Sequence, residues 1–179
     1  MRLLLLWIIV LSPWVRAEHG SLEGRAKAQL AFELEHDPGA RYPHFLKVFL
    51  HIENRYLGDL RWVANRVQGI EVELLGPDGK PVHQDPSAAS IQSGLVPLCL
   101  PYGSRLDWLI SHGGVSMAGE TQGKCALVVG GRGWLLPIDS LGSYSLGVRL
   151  RGAMGEAASG TAKPELLLEI ASEKILIGK

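Results

Sequence analysis

Apolar and polar residues alternate along much of the chain. In AKAQLAFELEH (26–36), Ala26, Ala28, Leu30, Phe32 and Leu34 share one parity, and Lys27, Gln29, Glu33 and Glu35 share the other. A period of two sends alternate side chains to opposite faces, so the segment is predicted to be a half-buried strand. FLKVFLHIEN (45–54) repeats the device with Leu46, Val48, Leu50 and Ile52 against Lys47, His51 and Glu53. Phe45 and Phe49 fall on its polar side, so that face is expected to be partly covered. In GIEVELLGPDGKPV (69–82), Ile70, Val72 and Leu74 alternate with Glu71 and Glu73, a Gly-Pro-Asp-Gly turn follows, and PVH is predicted to begin a return strand. Pro77 pre-sets the φ wanted at the second position of a β-turn, and Asp78-Gly79 between extended runs signals a hairpin.

Further strands are predicted at LVPLCL, SRLDWLI, KCALVV, WLLPI, YSLGVRLRG and PELLLEI, with EKILIGK closing the chain. In ELLLEIASEKILI, Leu166, Leu167, Ile170 and Lys174 stand near helical spacing, but Pro164 ahead of them and the Ile-Leu-Ile run favour strands. The separators are rich in Gly and Ser, and no stretch sustains a helical period. About eight to ten short strands at this spacing define an all-β class and predict an antiparallel β-sandwich, without parallel βαβ units.

The first residues form a separate device. MRLLLLWIIVLSPWVRA has a positive Arg2, an uninterrupted apolar run from Leu3 to Leu11, a break at Ser12-Pro13 and a small residue at Ala17. This is the organisation of a secretory signal peptide, and its apolar run is far below the roughly 20 residues that span a bilayer. Residues 1–17 are therefore read as a signal peptide and 18–179 as a single β-sandwich domain. No cysteine follows the apolar run, so the chain is expected to be neither membrane-spanning nor lipid-anchored, and secreted or periplasmic. Removal of the leader takes two arginines and no acids, changing 18 basic against 18 acidic residues to 16 against 18. That balance, with scattered Lys and Arg, argues against nucleic acid as a partner.

Cys99 and Cys125 are the only cysteines. An even count in an exported chain predicts one disulfide, which would contribute about 3.5 kcal/mol by loop closure. The alternative is two small thiols buried in neighbouring strands.

IDSLGSYSLGVRL resembles the corner of an immunoglobulin-like sandwich, with Asp139, Gly142 and Tyr144 in the corner roles and Leu146 where antibody domains carry a cysteine. The resemblance implies that Tyr144 opens the penultimate strand as a tyrosine corner, bonding back to the backbone. The succession VFLHIEN, GIEVELLGPDGKPV and GSYSLGVRLRG is similar to secreted bacterial immunoglobulin-like domains of unassigned role. More distantly it resembles the BsuPI-type proteinase-inhibitor sandwiches, which share an l.l.N strand, a v.D..G..v hairpin and a G.Y.l.a.l strand. Trp134 is the nearest counterpart of the inhibitors' Trp-Asp segment, with no Asp after it.

Enzyme chemistry finds little footing. GSYSLG places Tyr144 where a nucleophile elbow needs serine, leaving Ser143 and Ser145 as strand or corner residues. A Cys125–His112 pair is disfavoured by the expected bridge. GETQGKC has three residues between its glycines, where a phosphate-binding loop has four, and a Cys where that loop has Ser or Thr. VVGGRGW reads as a turn. None of His19, His36, His44, His51, His83 and His112 makes a two-His helical spacing, and Glu35-His36-Asp37 offers an incomplete cation site. No cofactor or metal is expected. The function predicted is a non-catalytic module that binds a protein or cell-surface component or has a structural role. A proteinase inhibitor or enzyme regulator is the alternative, and a hydrolase is third. Trp62, Trp108, Trp134, Tyr56 and Tyr102 are the candidate partner-surface residues, being large amphipathic anchors.

Overall fold

The computed structural model describes residues 22–37, 44–65, 69–84, 95–111, 123–155 and 165–176. Residues 1–17, on which the signal-peptide expectation falls, His19, His112 and most of the Gly- and Ser-rich separators lie outside them. Ten strands build two facing sheets, as the period-two pattern predicted. In the first sheet, β1 (Ala26–His36) and β2 (His44–Asn54) pair antiparallel along their whole length, from Ala26↔Asn54 to His36↔His44. The other edge of β2 is shared. β6 (Arg105–Leu109) runs antiparallel beside residues 49–53, and β7 (Lys124–Val129) meets Phe45 in a parallel pairing. At the seam between them the N–H of Val48 donates to the buried Oγ of Ser111 at 2.8 Å, so the change of neighbour leaves no orphaned donor.

β8 (Arg132–Pro137) completes this sheet by pairing with β7 across a two-residue turn. Gly130 and Gly131 both take positive φ there, 59° and 73°, as a turn twisted to match its strands requires. The glycine-rich segment is thus a hairpin turn, as its composition predicted. The strand that begins at Lys124 also stands where a phosphate-binding loop would need a helix.

The second sheet is organised around β9 (Ser145–Met154), which has β10 (Glu165–Lys174) on one edge. Its other edge is divided between β4 (Ile70–Leu75) and β3 (Leu60–Asn65), and β5 (Leu95–Leu100) pairs with β3. Gly152 sits where β9 pairs with β3; a Cβ there would collide with the Val63 carbonyl oxygen and lie 2.8 Å from Leu167 Cδ1.

Three sequence expectations change. β3 was not predicted. The return strand after the Gly-Pro-Asp-Gly turn shrinks to one bridge, Leu75↔Pro81, with Val82 N–H bonded to the Leu74 carbonyl at 2.8 Å. Proline has no N–H to extend a ladder, and β4 pairs with β9. EKILIGK does not form a strand of its own: β10 runs through Lys174 with a register shift between Ile170 and Glu173, and buried Ile175 follows it.

One core lies between the sheets. It takes Leu30, Phe32, Leu46, Val48, Leu50 and Ile52 from one side and Ile70, Val72, Leu74, Leu146, Val148 and Leu150 from the other. These are the residues of the alternating runs. The opposite face of β7 is covered as well: Ala126 and Val128 are buried there with Phe45 and Leu135 packed on them. This bears out the covered face expected at Phe45. Among the described residues no helix is long and apolar enough to cross a membrane.

Candidate binding surface

The five aromatic candidates separate sharply. Trp62, Trp108 and Trp134 are 1%, 8% and 2% exposed, so they are core residues and the partner-surface expectation for them is corrected. The indole N–H of Trp134 donates to the Val82 carbonyl at 3.2 Å, which ties β8 to the segment after the Gly-Pro-Asp-Gly turn. That turn therefore serves the scaffold. Tyr56 and Tyr102 are 39% and 60% exposed, and Leu57 between β2 and β3 is 87% exposed.

These three side chains stand at one end of the sandwich because of Asn54, the last residue of β2, which is 1% exposed. Its amide nitrogen donates to the Gly58 carbonyl at 2.7 Å and to the Leu100 carbonyl at 2.8 Å, and its amide oxygen accepts from the Tyr56 N–H at 2.8 Å. Its backbone N–H reaches the Ser104 carbonyl, and its carbonyl accepts from Gly103 N–H. The side chain of Asn54 thus fixes the turn carrying Tyr56 and Leu57, and its backbone fixes the turn carrying Tyr102. A buried amide that satisfies all its hydrogen bonds makes a rigid support. Arg25 lies over the Tyr56 ring at 5.2 Å, so a cationic group borders the tip. Sequence reasoning missed Leu57 and Asn54; the only signal was the asparagine closing the alternating run.

Elsewhere several charged groups pair within the protein. On the outer face of the first sheet, Asp107 Oδ1 lies 2.5 Å from His51 Nδ1 and from Arg105 Nε, and these contacts, Arg105 first, hold its carboxyl below the usual range. Lys47 pairs with Glu35, which raises the Lys47 ammonium. On the second sheet Arg149 pairs with Glu169 and Arg151 with Glu71. A cleft of about 380 Å³ beside β4 is lined by Glu73, Arg132, Trp134, Arg149 and Ser172 among others. Arg132 there donates to the Val72 carbonyl and Arg149 is held by Glu169, so its cations are committed within the protein. Exposed pairs of this kind contribute little to stability. Among the described residues no group of three or more His, Cys, Asp or Glu gathers in metal-binding geometry.

The expected disulfide is not formed. Both cysteines are free, Cys99 at an exposed position of β5 in one sheet and Cys125 buried on β7 in the other. Burial pushes the Cys125 thiol up to about 12, so it stays protonated and is a poor nucleophile at neutral pH. Because ionisation is suppressed only in the folded state, the unfolded chain loses its proton first as pH rises through the ordinary thiol range. Stability should then fall by about 1.4 kcal/mol per pH unit between the two pKa values. Denaturant melts between pH 9 and 11 should show this slope, and Cys125→Ala should remove it. A thiol reagent should modify Cys99 in the native protein and Cys125 only on unfolding.

Tyr144 stands immediately before β9, at the end of the 3-10 turn Ile138–Ser143. Its ring packs against the core, its N–H bonds to the Leu141 carbonyl, and its carbonyl accepts from Ile175. Ser143 and Ser145 flank it, in the turn and at the head of the strand. No family model matches this chain, and no curated protein matches it.

Proposed function

We propose that this chain is an exported, non-catalytic binding module, immunoglobulin-like in kind, that holds a protein or cell-surface component against its Tyr56–Leu57–Tyr102 end. The observation that carries this reading is the rigid presentation of three exposed apolar or aromatic side chains on turns locked by Asn54. Burying such side chains is unfavourable for the free protein to forgo and favourable for a partner to supply, and tyrosines in particular concentrate binding energy. Export is supported by the leader-like organisation of residues 1–17. A triple variant, Tyr56→Ser, Leu57→Ser and Tyr102→Ser, should keep the wild-type melting temperature within a few degrees. Against a ligand isolated from the exported compartment its affinity should fall about 100-fold or more, as loss of a hot-spot cluster does. Unchanged affinity would remove this surface from the account.

One feature favours the inhibitor as second reading. Leu57 projects from a short loop whose backbone is tied on both sides to Asn54, as a rigid bait for a protease would be. Under that reading the purified protein inhibits, one to one, a protease that prefers a large aliphatic side chain. Leu57→Asp abolishes the inhibition.

A further inference from the structure

The end of the β1–β2 hairpin farthest from the tyrosine tip carries a second constellation. His36 and His44 are cross-strand partners, the last register pair of the hairpin. Their Nδ1 atoms are 3.3 Å apart and their ring centroids 4.5 Å apart. Both have the parity of Leu34 and Leu46, so they lie on one face of the hairpin at the end where β1 passes to β2, His36 exposed and His44 half-buried. Glu35 has the other parity and is engaged by Lys47.

The distance is informative. Two nitrogens that each lie about 2.0–2.1 Å from a tetrahedral ion stand about 3.3–3.4 Å apart, whereas adjacent ligands of a square-planar ion stand about 2.9 Å apart. Without an ion the same spacing is a single Nδ1–H···Nδ1 hydrogen bond, and it requires opposite tautomers of two otherwise equivalent rings. The antiparallel ladder holds the two backbones in register, so little ordering is needed to present both nitrogens to one ion.

We propose that His36 and His44 form a two-histidine site for a tetrahedral divalent ion, Zn²⁺ foremost, with water in the remaining positions. The site is separate from the binding tip. The hairpin has 11 residues in each strand, which places the two about 33 Å apart. The ion would clamp β1 to β2 at the end where the chain leaves the ladder, which makes it a stabilising ligand of the folded state.

The test is Zn²⁺ titration by calorimetry, with Co²⁺ as the spectroscopic substitute, on the protein without residues 1–17 and carrying His19→Ala so that the N-terminal segment contributes no imidazole. One Zn²⁺ per chain, an intense tetrahedral Co²⁺ absorption, and at least a tenfold loss of association constant in both His36→Ala and His44→Ala are expected. Zn²⁺ should also raise the melting temperature of the parent and leave that of either variant unchanged. Absence of saturable binding, or binding that neither substitution alters, would overturn the proposal. Both side chains lie at the hairpin's end, and circular dichroism of each variant shows whether a loss reflects the site or the fold.

Discussion

Gly152→Val should cost about 4 kcal/mol or more and lower the melting temperature by roughly 10 °C. The added Cβ would collide with the Val63 backbone oxygen of β3 and lie 2.8 Å from buried Leu167, so no rotamer change relieves the first contact. Relief has to come from parting β9 and β3, whose pairing spans only Trp62↔Met154 to Ala64↔Gly152. A stability of 5–15 kcal/mol leaves little after such a loss. Gly142→Ala is the matched control: its Cβ would meet nothing nearer than the Ile175 carbonyl oxygen at 3.8 Å, and the change should stay within about 0.5 kcal/mol. Denaturant unfolding of both variants reads the difference, and equal stabilities would contradict the close approach of β3 and β9.

Asn54→Ala is the second large effect. It removes the acceptor of the Tyr56 N–H and the donors to the Gly58 and Leu100 carbonyls in one step. A buried polar group left without its partner costs about 1–3 kcal/mol, and water can reach part of the exposed turn, so a total of about 3 kcal/mol is expected. Asn54→Asp should not rescue. It restores the acceptor facing Tyr56 but sets a carboxylate oxygen against two carbonyls. Hydrogen exchange should localise the damage to the turns at 54–59 and 101–104, with the β4–β9 pairing unaffected. A uniform loss of protection would mean that Asn54 acts on the core as a whole.

The same two residues show what could be read from the chain. Alternation made β1, β2, β4 and β9 legible because each buries one parity against the opposite sheet. β3 escaped although Leu60, Trp62 and Ala64 keep the period, since six residues with apolar Val63 on the other parity make a weak signal, and Trp62 drew attention as an anchor. The tryptophans were misplaced for a physical reason. An indole suits a core or an interface equally, and the choice depends on partners such as the Val82 carbonyl, 52 residues from Trp134. The disulfide expectation rested on counting, whereas the outcome depends on the two cysteines being assigned to different sheets. Asn54 gains its meaning from Leu100, 46 residues away, and Leu57 from the turn that Asn54 fixes. Single exposed leucines are ordinary until the fold sets an aromatic beside them.

The tyrosine end is proposed as the face that meets a partner. A photo-crosslinking residue placed at Leu57 or Tyr102, and at Arg149 or Glu169 on the outer face of the second sheet as controls, tests it in the cell that makes the protein. A discrete crosslinked adduct is expected from Leu57 and Tyr102 and none from the sheet face. Adducts from the sheet positions alone, or none from the tip, would contradict it.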